Sequence, residues 1–179
     1  MQLTVKQPVL YETKPATEWL LGAPVQKTMP QYAHAFLQGL LFSRLHGWGR
    51  TRGRIGTEWR FWVTPVGSYA RYLVPDVAYL SYERLPRAAL AEAEEPRVAP
   101  SAVFEIRSAS DRNILVEHKV AVYLRAGADV VCIIDPQARS AVLHDAEHAR
   151  FLNSTDLLVH DALPGFEVDL AELFAELDP

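Results

Sequence analysis

Three ionisable residues stand where a charge is out of character, and together they suggest metal chemistry. Asp76 ends the apolar run "RYLVPD", Glu105 lies inside "VFEI", and Lys119 follows Leu115 and precedes Tyr123 by four residues each. On a helix those last three share one partly apolar stripe. A buried carboxylate is costly unless it is paired or bound to a cation. If the strands carrying Asp76 and Glu105 are neighbours, the two carboxylates meet, and they repel unless one is protonated or a cation lies between them. Hard oxygen ligands of this kind suit Mg²⁺ or Mn²⁺, with waters completing the shell. Such an ion can polarise a phosphodiester, lower the pKa of a bound water and steady the leaving oxygen. A lysine at the same point can position the water or offset charge on phosphorus. Plainer readings stand beside these: a turn or cap for Asp76, an edge carboxylate for Glu105, a snorkelling surface lysine for Lys119.

Other residues have two readings as well. Glu58, in "TEWRF", either reaches the metal from a neighbouring strand or pairs with an arginine at the surface. His34 and Gln38, four apart on one helix, face either the cleft or solvent. His46, His118, His144, His148 and His160 show no zinc-type spacing with cysteine. "SASD" at 108–111 reads first as a helix cap, with Ser108 near a scissile phosphate as the second reading. The stretch "RLHGWGRTRGRIGTEWR" sets Arg44, Arg50, Arg52, Arg54 and Arg60 against Glu58 alone. Arginine interleaved with glycine and Trp48 suits a phosphate backbone, making Arg50, Arg52 and Arg54 candidate DNA contacts; a solvated loop is the other reading.

These residues need a scaffold, and 179 residues with 49% hydrophobic and 22% charged side chains suffice for one globular domain with its own core. No apolar run of membrane-spanning length occurs, and "MQLTVKQPVL" lacks the pattern of a secretory signal. The one cysteine, Cys132 in "DVVCIID", reads as a small buried hydrophobe and agrees with a cytoplasmic location. The net charge is −4 but uneven: residues 151–179 hold seven Asp or Glu and no Lys or Arg, leaving +3 on residues 1–150.

Residues 1–29, with Pro8, Pro15 and Pro24, read as an irregular segment along the surface or against another subunit. A helix is expected over 31–46, with Phe36, Leu37, Leu40, Leu41 and Leu45 as its apolar stripe and Gly47 as its end. Two strands are expected at 54–63 and 69–80, joined by the turn "TPVGS", then a surface loop over 83–100. A strand at 102–107 leads into a helix at 111–126, capped by Ser110 and stopped by Gly127. "VVCIID" has the all-apolar character of a strand covered on both faces. Strand, helix, strand implies a parallel pair with a right-handed crossover. Short strands at 139–144 and 149–152 and a helix from "DLAELFAEL" complete an α/β domain with a mixed sheet.

The order P-D, then E at a strand, then a helix resembles the PD-(D/E)XK nuclease superfamily. More narrowly, "RYLVPDVAYLSYERLP", "FEIRSASDR", "HKVAVYLRAGADVVCIIDPQARSAVLHD" and "DLLVHDALPGFEVDLAELF" resemble the Uma2 family of restriction-endonuclease-like proteins. The resemblance implies a restriction-endonuclease-like mixed β-sheet core flanked by helices, spanning residues 30–179, and an endonuclease acting on DNA with Mg²⁺ or Mn²⁺. It implies Asp76 and Glu105 as metal-ligand carboxylates, the main-chain carbonyl of Ile106 as a third ligand, and Lys119 followed by Tyr123 as the lysine transferred to the helix. Arg107 stands where the superfamily usually has that lysine, Leu115 where the family often has an acidic residue, and Cys132 where it often has tryptophan.

A second reading is a nuclease fold kept as a binding or scaffold module without cleavage; Leu115 and the net negative charge favour it. Assembly is a further expectation. Cutting both strands of a duplex calls for two sites, which a C₂ homodimer supplies. Tyr11, Trp19, Leu20 and Leu21 give the N-terminal segment more apolar surface than a free tail exposes. "EWLLGAPV" is therefore expected in or beside a dimer interface, or folded back on its own domain.

Overall fold

The computed structural model describes residues 12–63 and 71–178. Its elements, in chain order, are β1 (Thr17–Leu20), β2 (Ala23–Gln26), α1 (Tyr32–Gly49), β3 (Gly53–Thr57), β4 (Phe61–Val63), β5 (Arg71–Leu73), β6 (Val77–Ser81), α2 (Leu90–Glu94), β7 (Ala102–Ile106), α3 (Asn113–Ala126), β8 (Val130–Asp135), β9 (Ser140–His144), β10 (Ala149–Leu152), β11 (Leu157–Val159), β12 (Glu167–Asp169) and α4 (Leu170–Ala175). Six strands form the central sheet in the order β10-β9-β8-β7-β6-β3. Only β7 and β8 run parallel, joined by α3; every other neighbouring pair is antiparallel. The fold is thus a mixed sheet flanked by helices, as the sequence implies. No helix among the described residues is long and apolar enough to cross a membrane.

Alternation along β7 divides the core into two layers. Ala102, Phe104 and Ile106 face Leu37, Leu41 and Leu45 of α1, with Leu170, Leu173 and Phe174 of α4 in the same cluster. Val103 faces the other way, into a cluster with Val120 and Tyr123 of α3, Leu20 of β1, and Phe61 and Leu73 of the small β4–β5 pair. Glu105 belongs by register to that second face, and it lies beneath the helix carrying Lys119.

Several elements differ from the sequence expectation. Residues 17–26 are not irregular: β1 and β2 pair from Thr17–Gln26 to Leu20–Ala23, turning on Leu21 and Gly22, both at positive φ. Leu20 is buried in the protein's own core, while Leu21 stays exposed. The run 54–63 breaks at Glu58, whose φ of 49° leaves the extended region, and the run 69–80 breaks around Pro75. The turn "TPVGS" and Tyr11 lie outside the described residues. The 83–100 connector contains α2, and β11 with β12 forms an unforeseen hairpin. Helix α1 runs past Gly47 to Gly49, because a glycine inside a helix weakens it without ending it.

Gly53 explains how closely β3 meets β6. A Cβ there would stand 2.4 Å from the Leu80 carbonyl oxygen and 2.9 Å from Ser81 Cα, so only glycine admits this approach. At the end of α3, Gly127 takes φ 103° and donates its N–H to the Leu124 carbonyl, the expected left-handed stop. At its start, Ser110 is not the cap. Asp111 instead accepts from the Ser108 N–H and hydroxyl, and Arg112 occupies the cap position with no side-chain bond.

Candidate active site

Antiparallel pairing sets Val77 opposite Phe104, so the next step of the register brings Asp76 beside Glu105. Both residues line one cavity of about 290 Å³, together with Glu18, Lys27, His34, Ile106, Arg107, Ser108 and Lys119. The sequence reading singled out all of these but Glu18 and Lys27, and both omissions come from the N-terminal hairpin.

Asp76 is 2% exposed and fully engaged. Its Oδ1 receives Lys27 Nζ at 2.6 Å, and its Oδ2 receives the Ile106 N–H at 2.7 Å and stands 3.2 Å from His34 Nε2. Burial alone would push its pKa up, but Lys27 and then His34 outweigh burial and hold it well below the usual carboxylate range. Lys27 Nζ also donates to both oxygens of Glu58, at 2.9 and 3.0 Å, and to the Val74 carbonyl at 3.0 Å. Gln38 braces the same corner, donating to the Asp76 carbonyl at 2.9 Å and to Glu58 at 3.2 Å. His34 and Gln38 therefore both face the cleft.

Glu105 sits at the other side. Lys119 Nζ is 2.7 Å from its Oε1 and 3.0 Å from Glu18 Oε1, which also accepts the Val74 N–H at 2.8 Å. The Tyr123 hydroxyl donates to Glu105 Oε1 at 3.4 Å. Leu115 supplies no carboxylate one turn before Lys119; Glu18 brings one from the hairpin. Burial lifts Glu105 to about 8: the pull of Lys119 does not cancel it, and the charges of Asp76 and Glu18 add to the rise. Lys119 moves upward despite burial, because Glu105 and Glu18 share its ammonium. The two directions are compatible: Glu18 keeps Lys119 charged even when Glu105 holds a proton.

That proton has a thermodynamic consequence. The folded chain keeps it to about pH 8, whereas an ordinary glutamate releases it near 4.5. Between those values the folded state binds more protons than the unfolded, so stability falls as pH rises through the window. Asp76 shifts the opposite way and loses its contribution only in acid, below this window. With chelator present, the urea midpoint should drop between about pH 5 and pH 8, and Glu105→Gln should flatten the drop. A midpoint that rises across this interval would refute the assignment.

Tested against a hard divalent ion, the donor chemistry fits. Glu18, Glu58, Asp76 and Glu105 bring four carboxylates against the ammoniums of Lys27 and Lys119, with the Arg107 guanidinium at the cavity wall. Among the described residues no three His, Cys, Asp or Glu side chains group as a ready-made cluster, so main-chain and water oxygens would have to complete a shell.

The remaining candidates are placed as follows. Arg107 lies at the cavity, bonded to Asn113 at 2.6 Å and 3.7 Å from Asp135. Ser108 lies there too, its hydroxyl committed to Asp111 at 2.8 Å. Arg50 and Arg54 line a different cavity, of about 590 Å³, toward the other end of β3. Arg54 donates to the carbonyls of Leu85, Pro86, Arg87 and Ala89, and Arg52 to that of Pro164 while stacked over Trp48. Arg44 and Arg60 pair with Glu172 and with Glu12 and Glu95. Cys132 is buried and its thiol pushed up by burial, so it stays protonated.

The comparisons agree with this architecture. The Uma2 family model, described as "Putative restriction endonuclease", matches residues 6–171. The crystal structure of "a putative nuclease belonging to DUF820 from Anabaena variabilis ATCC 29413" is 26% identical to this chain with a TM-score of 0.82, covering 94% of each chain. No curated protein matches. Because the matched span runs from before β1 into α4 and takes in every residue of the 290 Å³ cavity, the chain belongs to the Uma2 family.

Proposed function

We propose that this protein is a metal-dependent endonuclease that hydrolyses phosphodiester bonds in DNA. The observation that carries the reading is the meeting of Asp76 and Glu105, buried on adjoining strands, with Lys119 hydrogen-bonded to Glu105. Asp76, Glu105 and the Ile106 carbonyl would hold Mg²⁺ or Mn²⁺, which supplies polarisation of the scissile phosphate and a more acidic water.

The chain's own groups do the rest. The Ile106 N–H and His34 fix the rotamer of Asp76. Lys119 keeps its charge between Glu105 and Glu18 and directs an N–H toward the attacking water or the developing charge on phosphate. Arg107 stays cationic, cannot serve as a base, and neutralises a phosphate oxygen at the cavity mouth. Tyr123 orients Glu105, and Glu58 with Gln38 steadies the strand end at Asp76. Since Arg52 and Arg54 are held by carbonyls, Arg50 is the arginine of that patch left to meet the duplex backbone. A homodimer would place two such sites on opposite strands. The reduced, buried Cys132 agrees with work in the cytoplasm.

Supercoiled plasmid with Mg²⁺ or Mn²⁺ tests the reading. Wild type should nick it, and Lys119→Met should nick about 10²-fold more slowly. One observation favours the scaffold alternative: both carboxylates already have lysine partners. No nicking by wild type, with no DNA retained in a low-salt gel shift, would move the reading there.

A further inference from the structure

We infer that Lys27 is a resident counter-cation, holding with its own ammonium the place that a divalent ion takes beside Asp76. The inference rests on the metal-dependent reading above but concerns a residue outside the sequence pattern that suggested it. Lys27 Nζ has four oxygens within 3.0 Å: Asp76 Oδ1, both Glu58 oxygens and the Val74 carbonyl. Carboxylate and carbonyl oxygens are also the donors that Mg²⁺ and Mn²⁺ select. An ammonium offers only three N–H donors, so this cage presents more acceptors than Lys27 can use.

The lysine is aimed rather than trailing. Its N–H donates to the Ala16 carbonyl at 2.8 Å, just beyond the end of β2, which fixes the side chain on the cavity wall where it is 13% exposed. Lys119 pairs with Glu105 and Glu18, and among the described residues Lys27 is the lysine that pairs with Asp76. An ion held by Asp76 and Glu105 would share this buried setting with the ammonium, and like charges repel strongly there. Lys27 would therefore compete with the ion for Asp76 and set how tightly the ion is held. It also lets the carboxylates stay folded together with no ion bound.

The full-length chain tests this with Mn²⁺ alone, followed by calorimetry and by the electron paramagnetic resonance signal of free Mn²⁺. Lys27→Gln keeps a donor for Asp76 and Val74 but removes the charge; Lys27→Arg keeps the charge. Lys27→Gln should bind Mn²⁺ at least about tenfold more tightly than wild type, with Lys27→Arg matching wild type. In chelator, Lys27→Gln should melt below wild type, and Mn²⁺ should restore it. Equal Mn²⁺ affinity in Lys27→Gln and wild type, or unchanged melting in chelator, overturns the inference. If no variant binds Mn²⁺ but Lys27→Gln still melts lower in chelator, Lys27 stands as the resident cation and the metal-dependent reading falls instead.

Discussion

Glu105→Gln is expected to abolish plasmid nicking while leaving the protein folded. Gln matches the volume of Glu and keeps a carbonyl oxygen for Lys119 and Tyr123, so the packing under α3 survives. What disappears is the capacity to ionise and face Asp76 with a second negative charge across the strands. An amide is a far weaker ligand for a hard cation than a carboxylate. The rate should fall by at least about 10²–10³-fold, the scale seen when one preorganised electrostatic group is lost. Melting in chelator, measured alongside, should show no comparable loss, because burial already biases Glu105 toward its neutral form. Nicking equal to wild type would remove Glu105 from the site.

Asp76→Ala should act on stability first. Three groups lose a partner at once: the Ile106 N–H, His34 Nε2 and the Lys27 ammonium, which keeps Glu58 and the Val74 carbonyl. Removing one side of a buried ion pair typically costs about 3–5 kcal/mol, because the other charge stays buried without compensation. That is a large share of a domain's total stability, so the variant should unfold at markedly lower urea. Asp76→Asn, which keeps an acceptor for Ile106, should lose less. A loss below about 1 kcal/mol, the worth of an exposed pair, would mean that water or Glu58 takes over the lysine.

Asp76, Glu105 and Lys119 were legible because each interrupts an apolar pattern that leaves a charge no cheap explanation. The central strands were legible for the same reason: "VVCIID" is apolar on both faces and lies between β7 and β9. Glu18 and Lys27 were not. They sit in "TEWLLGAPVQK", where Pro24, with Pro15 just before the stretch, suggests irregular chain and the hairpin turns on Leu21, a residue seldom found at positive φ. The one available signal was Gly22, which suits such a turn. Glu58 misled similarly, since its left-handed φ splits what reads as one continuous strand. The arginines between Arg44 and Arg60 were legible as a patch, but sequence could not show that carbonyls and carboxylates of this same chain already engage most of them.

The β1–β2 hairpin gives the site a birth order. Glu18 and Lys27 leave the ribosome well ahead of Asp76, Glu105 and Lys119, yet the cavity takes its charge balance from all five. The hairpin buries Leu20 against α3 and the β4–β5 pair, so it has nowhere to dock until those segments have been made. A nascent chain accordingly carries its two earliest site residues in the open and its carboxylate pair unassembled. The five side chains of the cavity come together only when α3 closes over β7 and the hairpin docks against both.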